Sequence, residues 1–364
     1  MKKNYILFTL FVFFISYGFG QGYINLKIDN HNVKIKESVS KNSKSTDAMV
    51  YLNDSSIAYA WDNNNNLWDA HWKSYNTFDN NGNLTLIIHY MKDYTTFEFK
   101  IHEKNTYFYN SSNQLIEEMF SWWDNSLNNW LDGQKTYHTY NSQGKILRDS
   151  TLNYDQTALA WIIDSKTMYE YDNNGNLSLS TNYSWNGNLW EKQSKEEYVN
   201  NSNGKPITVY YYMWNSNSNI WEYSYKTTIT YNLSNGEIAE MEGFNWNATA
   251  STWDKQTKMS YSYNSNNKLS EIIYYYWSTS AYVLSSKFTF DYDSNGNEIE
   301  NMMYSWNSST STWGYNSKTN NYWSLHQVSS IIQPSIAGST LYPNPAKDFV
   351  IIDGLNTPAE VQIF

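Results

Sequence analysis

The chain has no cysteine among its 364 residues, so no disulfide can staple it and no thiolate can hold zinc. The same absence removes the thiol that would carry a lipid after export, which excludes a lipoprotein anchor. Only 5 prolines occur, and the long middle of the chain has almost none, as centrally paired strands require. Charged residues are 16% of the total and the formal charge is -10. Nucleic-acid binding relies on Lys and Arg to neutralise phosphates, so an acidic chain argues against that partner. Also missing are HExxH, a Gly-x-Ser-x-Gly elbow and a Gly-rich phosphate loop, and with them the commonest signs of metal, acyl-transfer and nucleotide chemistry.

What the chain has in excess is aromatic rings: 17 Trp, 34 Tyr and 15 Phe. It opens with Met1, Lys2, Lys3 and Asn4, an apolar run over 5–17, then Gly18, Phe19, Gly20 and Gln21. A basic start, a short apolar core and small residues before a break form a signal peptide cleaved between Gly20 and Gln21. The run is shorter than the roughly 20 residues a membrane span needs.

An internal repeat dominates the rest. A turn signature starting on an aromatic residue recurs eight times, at 78, 109, 140, 171, 198, 231, 263 and 292, the first four 31 residues apart. Between these turns sit paired aromatics: Trp61/Trp68, Trp123/Trp130, Tyr154/Trp161, Trp185/Trp190, Trp214/Trp221, Trp246/Trp253 and Trp306/Trp313. Phe99 takes the second-ring place in one degenerate unit, and Leu284 is expected to take it after Trp277. Two turns and two runs of about nine residues per unit describe a β-hairpin. In the run 177–185, Leu177, Leu179, Tyr183 and Trp185 alternate with Ser178, Ser180, Asn182 and Ser184, a period of two. The Asp-Asn-Asn-Gly-Asn turns supply residues that tolerate positive φ.

The fold expected is therefore all-β: an antiparallel array of about nine hairpins in a curled or spiral sheet, followed by a partial β-sandwich. A β-propeller is the alternative, although nine hairpins do not divide evenly into four-stranded blades. The expected divisions are a signal peptide at 1–20, an N-terminal segment at 21–47, the repeats at 48–323, a linker at 324–339 and a last unit at 340–364.

Two resemblances rest on particular residues. The turn Tyr169, Glu170, Tyr171, Asp172, Asn173, Asn174, Gly175, Asn176, Leu177, with weaker copies at 261–264 and 290–296, resembles the YD-repeat (Rhs-type) family, with Asn or Lys where that family has Arg. The resemblance implies a continuous, spiralling antiparallel sheet. Near the end, Tyr342, Pro343, Asn344 and Pro345 precede an apolar strand at 349–352. This is similar to the opening of the type A sorting domain of type IX secretion. It implies passage through the Sec translocon and the type IX machinery to the cell surface or medium, and a C-terminally truncated sorting domain.

Reactive groups are scattered. Histidines stand at 31, 71, 89, 102, 138 and 326 without metal-ligand spacing and are expected as surface or cross-strand residues. Asp79, Asp172 and Asp293 invite a calcium reading, but the EF-hand pattern fails and turn chemistry accounts for them. The pairs Glu117/Glu118, Glu196/Glu197 and Glu240/Glu242 lie within repeating strands rather than in one irregular constellation. No catalytic residue, metal or cofactor is expected. Candidate ligand-stacking residues are Trp185, Trp214, Trp221, Trp246, Trp253, Trp306 and Trp313, since aromatic planes on a sheet suit sugar rings. Against that stands a role in stapling each hairpin. The function expected is non-enzymatic binding or scaffolding at the cell exterior, with a polysaccharide or envelope component as ligand. The alternatives are a secreted carbohydrate-active enzyme and a structural stalk.

Overall fold

The computed structural model describes residues 46–330 and two short strands beyond them. The cleavage site at Gly20 and Gln21, most of the N-terminal segment, and Pro343, Asn344 and Pro345 lie outside the described residues. Eighteen strands follow one another: β1 (Thr46–Asp62), β2 (Leu67–Phe78), β3 (Leu84–Lys92), β4 (Phe99–Tyr109), β5 (Leu115–Asp124), β6 (Asn129–Tyr140), β7 (Ile146–Asp155), β8 (Ala160–Tyr171), β9 (Leu177–Trp185), β10 (Trp190–Asn200), β11 (Pro206–Asn215), β12 (Ile220–Tyr231), β13 (Ile238–Asn247), β14 (Thr252–Tyr263), β15 (Leu269–Ser278), β16 (Ala281–Tyr292), β17 (Glu298–Asn307) and β18 (Thr312–Ser330). Two further strands, β19 (Thr340–Tyr342) and β20 (Ile351–Asp353), pair with each other.

Each strand pairs antiparallel with its neighbours in sequence, and β1 also pairs with β18, from Thr46 opposite Ser330 to Ala60 opposite Ser317. The sheet is thus a closed barrel of nine hairpins. There are no blades, so the propeller alternative falls. The expected linker start is also revised, because β18 continues to Ser330 as the partner of the start of β1.

Closure has a local cause. Every ladder of the barrel carries one bulge, and each bulge adds bend and twist to its strand. Repeated around the array, these bends turn a meander back onto itself.

The two kinds of turn occupy opposite ends. At one end the Asp172 carboxylate accepts the backbone N–H of Asn174 and Asn176 at 2.9 and 2.8 Å, and Gly175 takes φ 79°, which a side chain would strain. Asp79, Asn110, Asn141, Asn201, Asn264 and Asp293 repeat this arrangement. The turn tyrosines then tie each hairpin to the one before. The hydroxyls of Tyr109, Tyr140, Tyr171, Tyr231, Tyr263 and Tyr292 donate to the carbonyls of Leu84, Leu115, Ile146, Pro206, Ile238 and Leu269 at 2.6–2.9 Å. Asn200 and Trp323 make the equivalent bond with side-chain N–H groups.

The two faces of the wall differ sharply. On β11 and β12, Tyr212 and Trp214 share a face with Tyr223 and Trp221, while Val209 and Tyr211 share the other with Thr227 and Tyr225. Val209 is 0% exposed and Tyr211 7%, whereas Tyr223 is 42% exposed. Only the concave side of a closed single sheet can shield itself, so the buried row lines the interior. Ser180, at 4% exposed, also faces inward. The Trp185 row, which reads as the more apolar, looks outward.

Candidate functional site

The seven candidate stacking tryptophans all lie on the outer face beside the second kind of turn. Trp214 and Trp221 meet at 4.9 Å between centroids, Trp246 and Trp253 at 5.0 Å, Trp306 and Trp313 at 4.9 Å, and Trp185 and Trp190 at 5.2 Å. Each pair is directly opposite across its hairpin, edge-to-face for Trp214 with Trp221 and Trp306 with Trp313 and tilted for the other two, as aromatic quadrupoles favour over flat stacking. All these rings are half-buried. In the degenerate unit the partner of Trp277 is Tyr282, at 4.9 Å, and Leu284 instead faces Tyr275. The connection there is only Thr279 and Ser280, which brings the partner two residues closer than the spacing of seven requires.

Sequence reading missed a second outer row. Five residues after the second ring of each unit stands a lysine, and its ammonium lies over the second ring of the next hairpin. Lys73 covers Phe99 at 4.1 Å, Lys104 covers Trp130 at 4.8 Å, Lys135 Trp161 at 4.3 Å, Lys166 Trp190 at 4.4 Å and Lys195 Trp221 at 5.5 Å. Lys226 covers Trp253 at 4.9 Å, Lys258 Tyr282 at 5.3 Å, Lys287 Trp313 at 5.3 Å, and Lys318 reaches across the seam to Trp68 at 5.4 Å. The nine contacts form a closed ring. At roughly 0.5–1 kcal/mol for each exposed cation–π contact, the belt fastens every hairpin to the next. It also takes up ring faces that a sugar would need, including that of Trp214 under Lys192 at 4.2 Å.

Ion pairs join the same face, Lys258 with Glu240 at 3.2 Å, Lys255 with Glu242 at 3.5 Å and Lys318 with Glu300 at 2.8 Å. A lipid-facing barrel wall needs an apolar band, and a wall with lysines and carboxylates in its strands does not offer one.

Inside, polar groups collect on β2 to β11. Glu103 is 2% exposed, its Oε1 accepts no hydrogen bond, and burial pushes its carboxyl up to about 7. His89, opposite it in register, accepts the Trp72 indole N–H at 3.1 Å, and burial, with His102 nearby, holds it down at about 4. His102 Nε2 is 3.8 Å from Glu103 Oε2, but burial lowers His102 while raising Glu103. His102 is therefore uncharged near pH 7, so the contact is not a salt bridge there, while Glu103 loses its proton as the pH rises through about 7.

Farther round, His138 is held between Asp149 at 2.5 Å and Glu118 at 3.1 Å. Burial alone would lower it, but the hydrogen bonds that the protonated ring donates to both carboxylates outweigh that and push it up to about 9. Tyr169 donates to the far oxygen of Asp149 at 2.7 Å. Burial raises the Glu196 carboxyl although Tyr198 and Ser180 bond to it. His89 and His138 are thus buried cross-strand residues rather than surface ones, and His31 lies outside the described residues.

The neighbouring carboxylate pairs are split by the pleat. Glu118 and Glu196 turn inward, Glu117 and Glu197 outward, and Glu240 and Glu242 both face lysines outside. Asp79, Asp172 and Asp293 spend their oxygens on turn N–H groups. Among the described residues no group of three His, Asp or Glu side chains is arranged to hold a metal.

No family model matches the chain, and no curated protein matches it. Solved structures that match parts of the chain include a DUF3836 family protein from Bacteroides vulgatus, at 23% identity over 24% of this chain and 89% of that one, with a TM-score of 0.22. A porin-like protein from Bacteroides uniformis is 10% identical over 75% of this chain and 98% of that one, with a TM-score of 0.37. The TcdB2-TccC3 structure, of the Rhs type, is 12% identical over 81% of this chain and 17% of that one, with a TM-score of 0.32.

Proposed function

We propose that the chain is an exported, non-enzymatic barrel that serves as a binding scaffold at the cell exterior, with a glycan or another envelope component as its ligand. The observation that carries this reading is the outer wall, where paired rings, lysines and carboxylates repeat unit after unit at equivalent positions. Repetition of equivalent weak sites suits a polymer, whereas catalysis needs one irregular constellation. Export rests on the signal peptide and on Tyr342, Pro343, Asn344 and Pro345, and places the mature start at Gln21. A secreted carbohydrate-active enzyme is the second reading, favoured by the buried His138 held between the more open Glu118 and Asp149 carboxylates.

The test is a glycan array probed with the secreted mature chain beside Trp246→Ala and Trp306→Ala variants whose β-sheet circular dichroism matches the parent. Binding to a defined set of glycans, weakened at least about tenfold by either change as expected when a stacking ring is lost, is the expected result. Failure of the parent to bind any glycan, or equal binding by both variants, overturns the glycan reading.

A further inference from the structure

The rim beside the tryptophan pairs carries large apolar side chains that stand largely in solvent. At the tips of the first six hairpins stand Leu67, Phe97, Leu127, Leu159, Leu189 and Ile220, exposed by 48%, 69%, 65%, 72%, 51% and 52%. Single exposed leucines are ordinary, but one on each of six consecutive tips of a closed ring, one to three residues before the second ring of its unit, is not.

Backbone conformation supplies a second, independent sign. Phe97 and Leu159 take φ 61° and 52°, the left-handed region where bulky residues are strained. Sibling turns put Asn66, Asn128 and Asn219 there, which is the comfortable choice. Here, the strain accompanies the two most exposed side chains of the rim, Leu159 at 72% and Phe97 at 69%, the Lys92 ammonium lying 5.5 Å from the Phe97 ring.

We propose that this rim docks end-on to a zwitterionic lipid surface, the six apolar tips entering the outermost acyl region. The proposal does not rest on the glycan reading, since it concerns the tips and not the wall. Three features favour a lipid plane. The knobs sit at one end of a ring, which matches a flat partner better than a pocketed one. Directly behind them lie the paired tryptophans, residues that prefer the boundary between apolar and wet surroundings, with lysine ammoniums over the rings. Finally, the first four tips open with half-exposed carboxylates, Asp62, Asp93, Asp124 and Asp155, which cap their own turns, Asp93 also pairing with Lys100. Those charges disfavour an anionic membrane and a rim-to-rim pair of barrels alike, but accept the ammonium groups of choline headgroups.

The experiment is co-sedimentation of the full mature chain with phosphatidylcholine vesicles, repeated with one third of the lipid replaced by phosphatidylglycerol. The comparison protein is the triple variant Phe97→Asn, Leu127→Ser, Leu159→Asn, in which Asn relieves the strained backbone, so that loss of binding does not come from unfolding. The parent is expected to partition onto phosphatidylcholine, less onto the anionic mixture, and the triple variant at least about tenfold less, in line with area-dependent interfacial binding. A parent that stays in the supernatant, or a triple variant that binds as well, overturns the proposal. So does size-exclusion chromatography showing parent dimers that the triple variant abolishes without any vesicle binding, which would make the rim a contact between copies.

Discussion

Replacing Glu103 by Gln is expected to stabilise the barrel by about 3 kcal/mol at pH 8 and by less than about 1 kcal/mol at pH 5. The carboxyl is buried with an oxygen that accepts no hydrogen bond, and its folded pKa is raised from 4.5 to about 7. A raised pKa means that the folded state holds the proton more tightly than the unfolded one. The associated stability is therefore complete below about 4.5 and is lost as the pH rises through about 7. Glutamine is a neutral isostere and removes the ionisation, so its advantage appears only on the alkaline side. Urea denaturation of both proteins at pH 5, 6.5 and 8 measures the difference, and a gain independent of pH would show that Glu103 is not the titrating group. His138 also loses stabilisation as the pH climbs from its ordinary value toward about 9, but equally in both proteins, so it cancels.

A second large effect is expected at Gly243 on the inner face. A Cβ there would stand 1.6 Å from the Tyr225 hydroxyl and 2.5 Å from Thr257 Oγ1, because those two groups hydrogen-bond over the glycine at 3.1 Å. Gly243→Ala must push a buried ring aside and break that bond, a cost of about 3 kcal/mol, against a gain of about 0.5 kcal/mol in unfolded-chain entropy. The effect should shrink to the remaining Thr257 contact where Tyr225 has already been cut back to Ala, a coupling that a double-mutant cycle reads directly from chemical melts. Additive losses would mean that the glycine is needed for its backbone and not for the space above it.

Much of this architecture was legible from the repeat. The 31-residue period, the Asx-type turn residues and the alternation of two placed all nine hairpins and paired Trp214 with Trp221 before any coordinates, because strand parity and turn chemistry are local properties. The face that turns inward was not legible. Along 177–185 the side chains Leu179, Tyr183 and Trp185 look out while Ser180 is buried, since lysines and neighbouring rings cover the outer aromatics. Closure was also hidden. It arises from one bulge per ladder summed over eighteen strands and from β18 running on to Ser330, and no single repeat announces that sum. The lysine belt could have been found, because Lys73, Lys104, Lys135 and Lys166 keep the same period of 31. It was passed over because lysine on a strand reads as solvated charge.

The pairing of β1 with β18 closes the barrel, and a cysteine-free chain allows that closure to be tested cleanly. Ala58 and Thr319 are register partners across the seam, and antiparallel partners lie within the Cα spacing that a disulfide accepts. An Ala58→Cys, Thr319→Cys protein, folded as a monomer and then oxidised, should form an intramolecular disulfide nearly completely. Peptide mapping by mass spectrometry would identify the link, while an Ala58→Cys, Thr181→Cys protein, whose second site is on β9, should keep both thiols free. An open or spiral sheet would leave the seam thiols unlinked or joined only between molecules, and that result would contradict the closed barrel.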